Sequence, residues 1–385
     1  MTGAEVEGAC EGLFASVAEA FHANFIQHQE IGASFCVVHR GRAVVDLWGG
    51  FANGDRSRPW TRDTLVNVWS TTKAITALCV ARLAGQGRLE MDRPVADYWP
   101  EFGANGKDAI TVAELFSHQA GLCGPSAPVT EAQFLDLGYV EPLFAAEAPS
   151  WPPGTRSGYH AFSLGPLAEG LFRRVTGKSV GRFFRDEIGD PLGVDVHLGL
   201  PESEDHRVSD LVHDGRVRPA PAAGTNPQQR RLQNMPIRAG LGDSRAWRAL
   251  GTPSAGAQAN ARGLATLFSA LATDRTLGGV ELVSEAALAE ATRVRISNED
   301  LILGMTVSWG TGFWLNHEPK VYGPNPEAFG HHGWGGSFAF ADPAAELGVA
   351  YAMNYMREPI DGPDPRVIAL IASVYAALAA GPPAL

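Results

Sequence analysis

Ser70 and Lys73 stand three residues apart in "VWSTTKAITALCV" (68–80), where a helical pattern begins. The chain holds four lysines, at 73, 107, 178 and 320, and only Lys73 follows a serine at this spacing. Positions three apart on a helix share a face, so the lysine points back at the hydroxyl. A hydroxyl at a helix N-terminus sits in a positive dipole field, and the free backbone N–H groups there can hold an oxyanion. Lys73 is followed by Ala, Ile and Thr, so its stem enters an apolar wall. Burial lowers an amine's pKa and lets it serve as a base. This is the chemistry of an activated serine nucleophile. The same residues also read as an ordinary serine cap with a lysine in the first turn, and spacing alone does not separate the two.

Two further stretches carry candidate groups. In "WPPGTRSGYHAFSLGPLAEGLFRRVTG" (151–177), Tyr159 sits in a turn before a helix. A phenol beside a lysine has its pKa pulled down and can shuttle a proton; a half-buried tyrosine also simply supports a loop. In "FGHHGWGGSFAFADP" (329–343), glycines 330, 333, 335 and 336 precede a strand. They mark either a bulged strand start or a backbone laid bare, with an N–H aimed into a site. Competing chemistry finds no support. No GxSxG occurs, "TGKS" at 176–179 lacks the upstream glycine of a phosphate loop, and no HExxH is present. His331 and His332 on a strand point to opposite faces, which is poor for chelation. No metal or organic cofactor is expected. Cys79 falls on the packed face of its helix, and four scattered cysteines without a CxxC read as reduced thiols.

The elements that must hold these groups follow from periodicity. Residues 9–29 have helical spacing through Leu13, Phe14, Val17, Phe21 and Phe25. "SFCVVHRGRAVVDLWGGF" predicts a hairpin turning at His39–Arg42. Short helices between loops fill roughly 90–240, and "RPAPAAGTNPQQRRLQNMP" (218–236) reads as a long surface loop, a candidate lid. A helix returns at "ARGLATLFSALA". Strand-like runs follow, with a turn at Asp342–Pro343, and "DPRVIALIASVYAALAA" is a closing helix. The pattern predicts an α+β fold: an antiparallel sheet flanked by N- and C-terminal helices, with a mainly α-helical inserted domain. The expected division is a sheet domain of residues 1–88 and 241–385, and a helical domain of 89–240. A net charge of −11 with no basic run argues against nucleic acid. Neither a signal peptide nor a membrane span is legible, so a cytoplasmic location is expected.

Ser70-x-x-Lys73, then "PPGTRSGYHA" with Tyr159, then "GHHGWGGS", in this order, resemble the serine β-lactamase/penicillin-binding superfamily. They look most like its class C-like esterases, the family VIII carboxylesterases. "ELFSHQAGL" (114–122) is similar to a common stretch of that family, and the resemblance spans about 30–380. It implies that Ser70 is the nucleophile, that Lys73 takes or relays its proton, and that Tyr159 is the partner acid or base. It also implies an oxyanion hole from the Ser70 N–H and the third motif, Trp334-Gly335-Gly336, with Ser337 supplying the N–H. A shifted register would nominate Trp334 instead. The pattern departs from penicillin-recognising enzymes. Tyr159-His160-Ala161 lacks the usual amide, and the third motif lacks the usual lysine. Both departures point to a small-molecule ester of short or medium acyl chain, with at most weak β-lactam turnover. A β-lactamase or D-alanyl peptidase, an acyltransferase of the same fold and a non-catalytic binding protein are the alternatives. The sequence says nothing about the oligomeric state.

Overall fold

Apolar runs from both ends of the chain meet in one sheet. In chain order the strands are β1 (Val6–Cys10), β2 (Gly32–His39), β3 (Arg42–Gly50), β4 (Ile296–Glu299), β5 (Thr306–Trp309), β6 (Trp314–Leu315), β7 (Phe329–His332), β8 (Phe338–Asp342) and β9 (Leu347–Met353). They lie in the order β1-β3-β2-β9-β8-β7-β6-β5-β4, every pairing antiparallel. The computed structural model describes residues 5–213, 215, 226–358 and 363–381.

The main helices are α1 (Ala15–Gln27), α2 (Thr72–Gly85), α3 (Leu164–Thr176), α4 (Ala261–Ala272) and α5 (Pro365–Ala380). β9 is buried along its whole length, and β2 up to its last residue, as central strands covered on both faces must be. Helix α4 lies on β9, β2 and β8. Its approach to β9 is close enough that a Cβ at Gly348 would stand 2.2 Å from the Ser269 nitrogen and 2.3 Å from the Ala265 carbonyl. Helices α1 and α5 pack on each other, and α1 reaches β1 and β3. Helix α2 is buried on nearly every face, against β7 and the helix Glu285–Thr292. Such a helix belongs to a core rather than a surface. This architecture is the expected α+β fold.

Two expectations change. The helix expected over 9–29 begins only at Ala15; residues 6–10 form β1, and a 3-10 turn spans Gly12–Phe14. Backbone pairing decides the matter, since Val6–Cys10 pairs residue by residue with Val45–Gly49. The stretch expected to be loop at 218–236 contains a helix, Pro227–Gln233. Asn226 caps it by accepting from the Gln228 and Gln229 N–H groups, and Pro227 sits in its first turn, which suits proline. Residues 218–225 of the candidate lid lie outside the described residues. No helix among the described residues is long and apolar enough to cross a membrane.

Candidate active site

Ser70 lies in a tight turn built by three short strands. Val66–Asn67 pairs with Gln258–Ala259, which pairs with Val196–His197. The chain then enters a 3-10 turn, Trp69–Thr71, and passes directly into α2. Trp69 carries φ +46°, a left-handed conformation that a bulky side chain rarely adopts and that marks stored strain. Its ring is wedged against Trp334, Trp247 and Phe162 at centroid distances of 4.9, 5.8 and 6.5 Å. Packing of the buried indole thus holds the bend that leaves Ser70 partly exposed. The segment 252–257 fixes the same corner. Val68 N–H donates to Ala257 O at 3.0 Å, and Thr76 Oγ1 donates to Pro253 O at 2.7 Å.

The Lys73 side chain turns back along the first turn of α2, as the spacing predicts. Nζ lies 3.0 Å from Ser70 Oγ, 2.6 Å from Ala161 O and 2.7 Å from Ser254 O. None of these partners is a carboxylate, and the side chain is buried. Burial without a counter-charge pushes its pKa well below the ordinary lysine value. A neutral amine has two hydrogens and one lone pair. In that form the two carbonyls would take the hydrogens and the lone pair would face Ser70 Oγ, ready to accept its proton.

Tyr159 is held in the turn before α3 by its own N–H, which donates to Asp300 Oδ1 at 2.9 Å. Its ring stacks on Trp309 (5.7 Å, 4° between planes) and His331 (5.9 Å), with the edge of His118 at 4.9 Å. Lys73 Nζ lies 4.7 Å from the ring centroid. The hydroxyl is buried and has no hydrogen-bond partner of normal geometry. The expected downward shift of this phenol is reversed. Burial pushes its pKa up, Ser70 draws it only partly back, and Asp300 adds to the rise. Burial of both groups outweighs the attraction of a lysine that is itself driven toward neutrality.

Several groups here were not anticipated as parts of the site. His160 N–H donates to His118 Nδ1 at 3.1 Å, and His160 Nε2 accepts from Leu122 N–H at 3.0 Å. These bonds knit the "ELFSHQAGL" stretch to the tyrosine turn. Burial pushes His160 down to about 3, so it is a neutral brace. Asp300 also accepts from the Ile302 and Leu303 N–H groups, which anchors it as a support for Tyr159. His331 and His332 both touch Trp314 but otherwise diverge along the strand: His331 meets Tyr159 and Trp309, while His332 stacks on Tyr322.

The third motif is the turn between β7 and β8, packed against the turn carrying Ser70. Ser337 Oγ donates to Val68 O at 2.8 Å and lies 3.1 Å from Thr71 Oγ1. That hydroxyl is therefore tied to the Val68 carbonyl before Ser70 and to the Thr71 hydroxyl after it. Gly335 and Gly336 have φ of +89° and +124°, values that favour glycine. The Trp334 ring covers Trp69, and its Nε1 donates to Glu358 at 2.6 Å. So Ser70, Lys73 and Tyr159 are brought together, with Trp334–Ser337 beside them.

The beta-lactamase family profile matches residues 14–373. The chain is 34% identical over 372 residues to the esterase/beta-lactamase LipL of Mycobacterium tuberculosis, covering 92% of this chain and 84% of that protein. It is 44% identical to a family VIII carboxylesterase of known crystal structure, with a TM-score of 0.90 over 97% of this chain and 100% of that one. A penicillin-binding protein homologue from Caulobacter crescentus is 43% identical, with a TM-score of 0.87 over 97% and 100% of the two chains.

Proposed function

The chain belongs to the beta-lactamase family, and from that premise we propose that it hydrolyses carboxylic esters of short or medium acyl chain through an acyl-enzyme on Ser70. The observation that carries this reading is the 3.0 Å contact between Ser70 Oγ and a buried lysine amine with no carboxylate partner.

Lys73 takes the proton from Ser70 Oγ as the oxygen attacks the ester carbonyl carbon. The Ser70 and Ser337 N–H groups receive the oxyanion. Collapse of the tetrahedral adduct breaks the bond to the alcohol. Tyr159, whose raised pKa keeps it protonated, gives its proton to the departing alkoxide. The phenolate regains a proton from the Lys73 ammonium, directly or through a water between them, since the Ser70 oxygen is by then acylated. In the second half water attacks the acyl carbon, the same groups move its proton, and the acid leaves with Ser70 restored.

Two features favour esters over β-lactams. Ala161 offers only its carbonyl, which is engaged by Lys73, so no side-chain amide is available to grip a substrate amide. Trp334 occupies the third motif where a lysine would meet a β-lactam carboxylate. A panel of nitrophenyl esters from acetate to octanoate, run beside nitrocefin, tests the reading. Turnover of the short and medium esters should exceed that of nitrocefin by orders of magnitude. The reverse ranking would replace this proposal with a β-lactamase.

A further inference from the structure

Arg366, at the start of α5, is wholly buried far along the chain from every motif residue. Its guanidinium has five N–H donors, and the acceptors around it use them all. Nε donates to the Asp364 carboxylate at 3.1 Å. Nη1 donates to Glu30 Oε2 at 2.8 Å and Tyr355 O at 2.9 Å. Nη2 donates to Asp364 Oδ2 at 2.7 Å and, last, to Gly335 O at 2.7 Å. Glu30 comes from the connection between α1 and β2 and is itself bonded by the Tyr351 hydroxyl. Two carboxylates and a carbonyl therefore fix the guanidinium, and the guanidinium fixes one carbonyl of the third-motif turn. Gly336 is closed in by the same groups, since a Cβ there would stand 2.9 Å from both Arg366 Nη2 and Asp364 Oδ2.

The engaged peptide is the one immediately before the Gly336–Ser337 peptide, whose N–H is the proposed oxyanion donor. With Ser337 Oγ pinned to Val68 O, the turn is clamped at two points. We propose that Arg366, oriented by Glu30 and Asp364, is a positioning residue that sets the direction of the Ser337 N–H in the oxyanion hole. This rests on the ester-hydrolase reading above. A buried ion cluster is costly to assemble from water and is weak evidence for stability alone, so its use as a rigid brace accounts for its place. A donor displaced by about 1 Å costs on the order of 10²-fold in rate.

The test compares wild type, Arg366→Lys and Glu30→Gln. The readouts are kcat and KM for a nitrophenyl ester, the inhibition constant of an alkyl boronic acid, and the melting temperature. A boronate forms a tetrahedral adduct on serine that needs the oxyanion hole, whereas KM does not. Arg366→Lys should lower kcat by about 10- to 100-fold and weaken boronate binding in parallel, with KM changed less than about 3-fold. Glu30→Gln, which keeps the shape of the cluster, should show a smaller loss of the same pattern and decides the matter if Arg366→Lys does not fold. Variants that melt lower but keep wild-type kcat and boronate affinity would overturn the proposal and leave the cluster a structural one. That failure is distinct from failure of the ester reading, in which the wild type itself would neither turn over the ester nor bind the boronate.

Discussion

Replacing Tyr159 by phenylalanine separates stability from catalysis. The hydroxyl is buried with only a poorly aligned contact to Ser70, and a buried donor so poorly paired costs about 1–3 kcal/mol. Removing it recovers that cost. The void left by one oxygen offsets about 1 kcal/mol of the gain. The net is a stabilisation of about 0–2 kcal/mol. For a chain of 385 residues the unfolding entropy is about 0.8 kcal/mol per degree, so the melting temperature should hold or rise by about 0–3 °C. The stacking on Trp309 and His331 uses the ring, which phenylalanine keeps. Ester turnover should nevertheless fall on the order of 10²–10⁴-fold, because the leaving alkoxide loses its proton donor. Calorimetry and steady-state kinetics on one preparation make the test. A drop of several degrees would show that the hydroxyl anchors the turn through a bond, and near-normal turnover would remove Tyr159 from the reaction.

Lys73→Met should cost about 10²–10⁴ in kcat/KM and flatten its acid limb. In the wild type this limb rises with pH as the buried amine, held below the usual lysine pKa, loses its proton. The sign for stability is the opposite of a salt bridge. The unfolded chain carries Lys73 charged below about pH 10.4, so keeping it neutral in the fold costs more as pH falls toward the lowered pKa. The variant should therefore gain on the wild type in urea midpoint as pH falls, and a gap independent of pH would contradict the neutral amine. Gly333→Ala would put a Cβ 2.1 Å from Ser337 Oγ and 2.3 Å from Val68 O, between the turn bearing Ser70 and the third motif. It should cost about 1–3 kcal/mol in stability and on the order of 10²-fold in kcat, and wild-type kcat would show that the two turns need not touch.

The sequence carried the local part of this arrangement well. Three-residue spacing on a helix is enough to aim Lys73 at Ser70, and alternation on a strand is enough to part His331 from His332. Long-range packing was less legible. Tyr159 gained its environment from segments near 118, 300, 309 and 331, which no local pattern joins. Its pKa goes up where a neighbouring lysine alone suggests down, because burial of both groups outweighs their attraction. The edge strand β1 escaped a periodicity reading because backbone pairing to β3 makes it, and "VEGAC" has no apolar alternation. The helix Pro227–Gln233 did have a signal, Asn-Pro at its start, masked by the polar composition around it. Arg366 reads in sequence only as part of a terminal helix, and the clamp it forms exists only once Glu30, Asp364 and Gly335 are folded around it.

The central claim is that Ser70 is acylated. Intact-mass measurement and peptide mapping after treatment with a fluorophosphonate probe should find one adduct per chain, on the peptide containing Ser70, and none in Ser70→Ala. An adduct on another residue, or equal labelling of Ser70→Ala, would contradict the account.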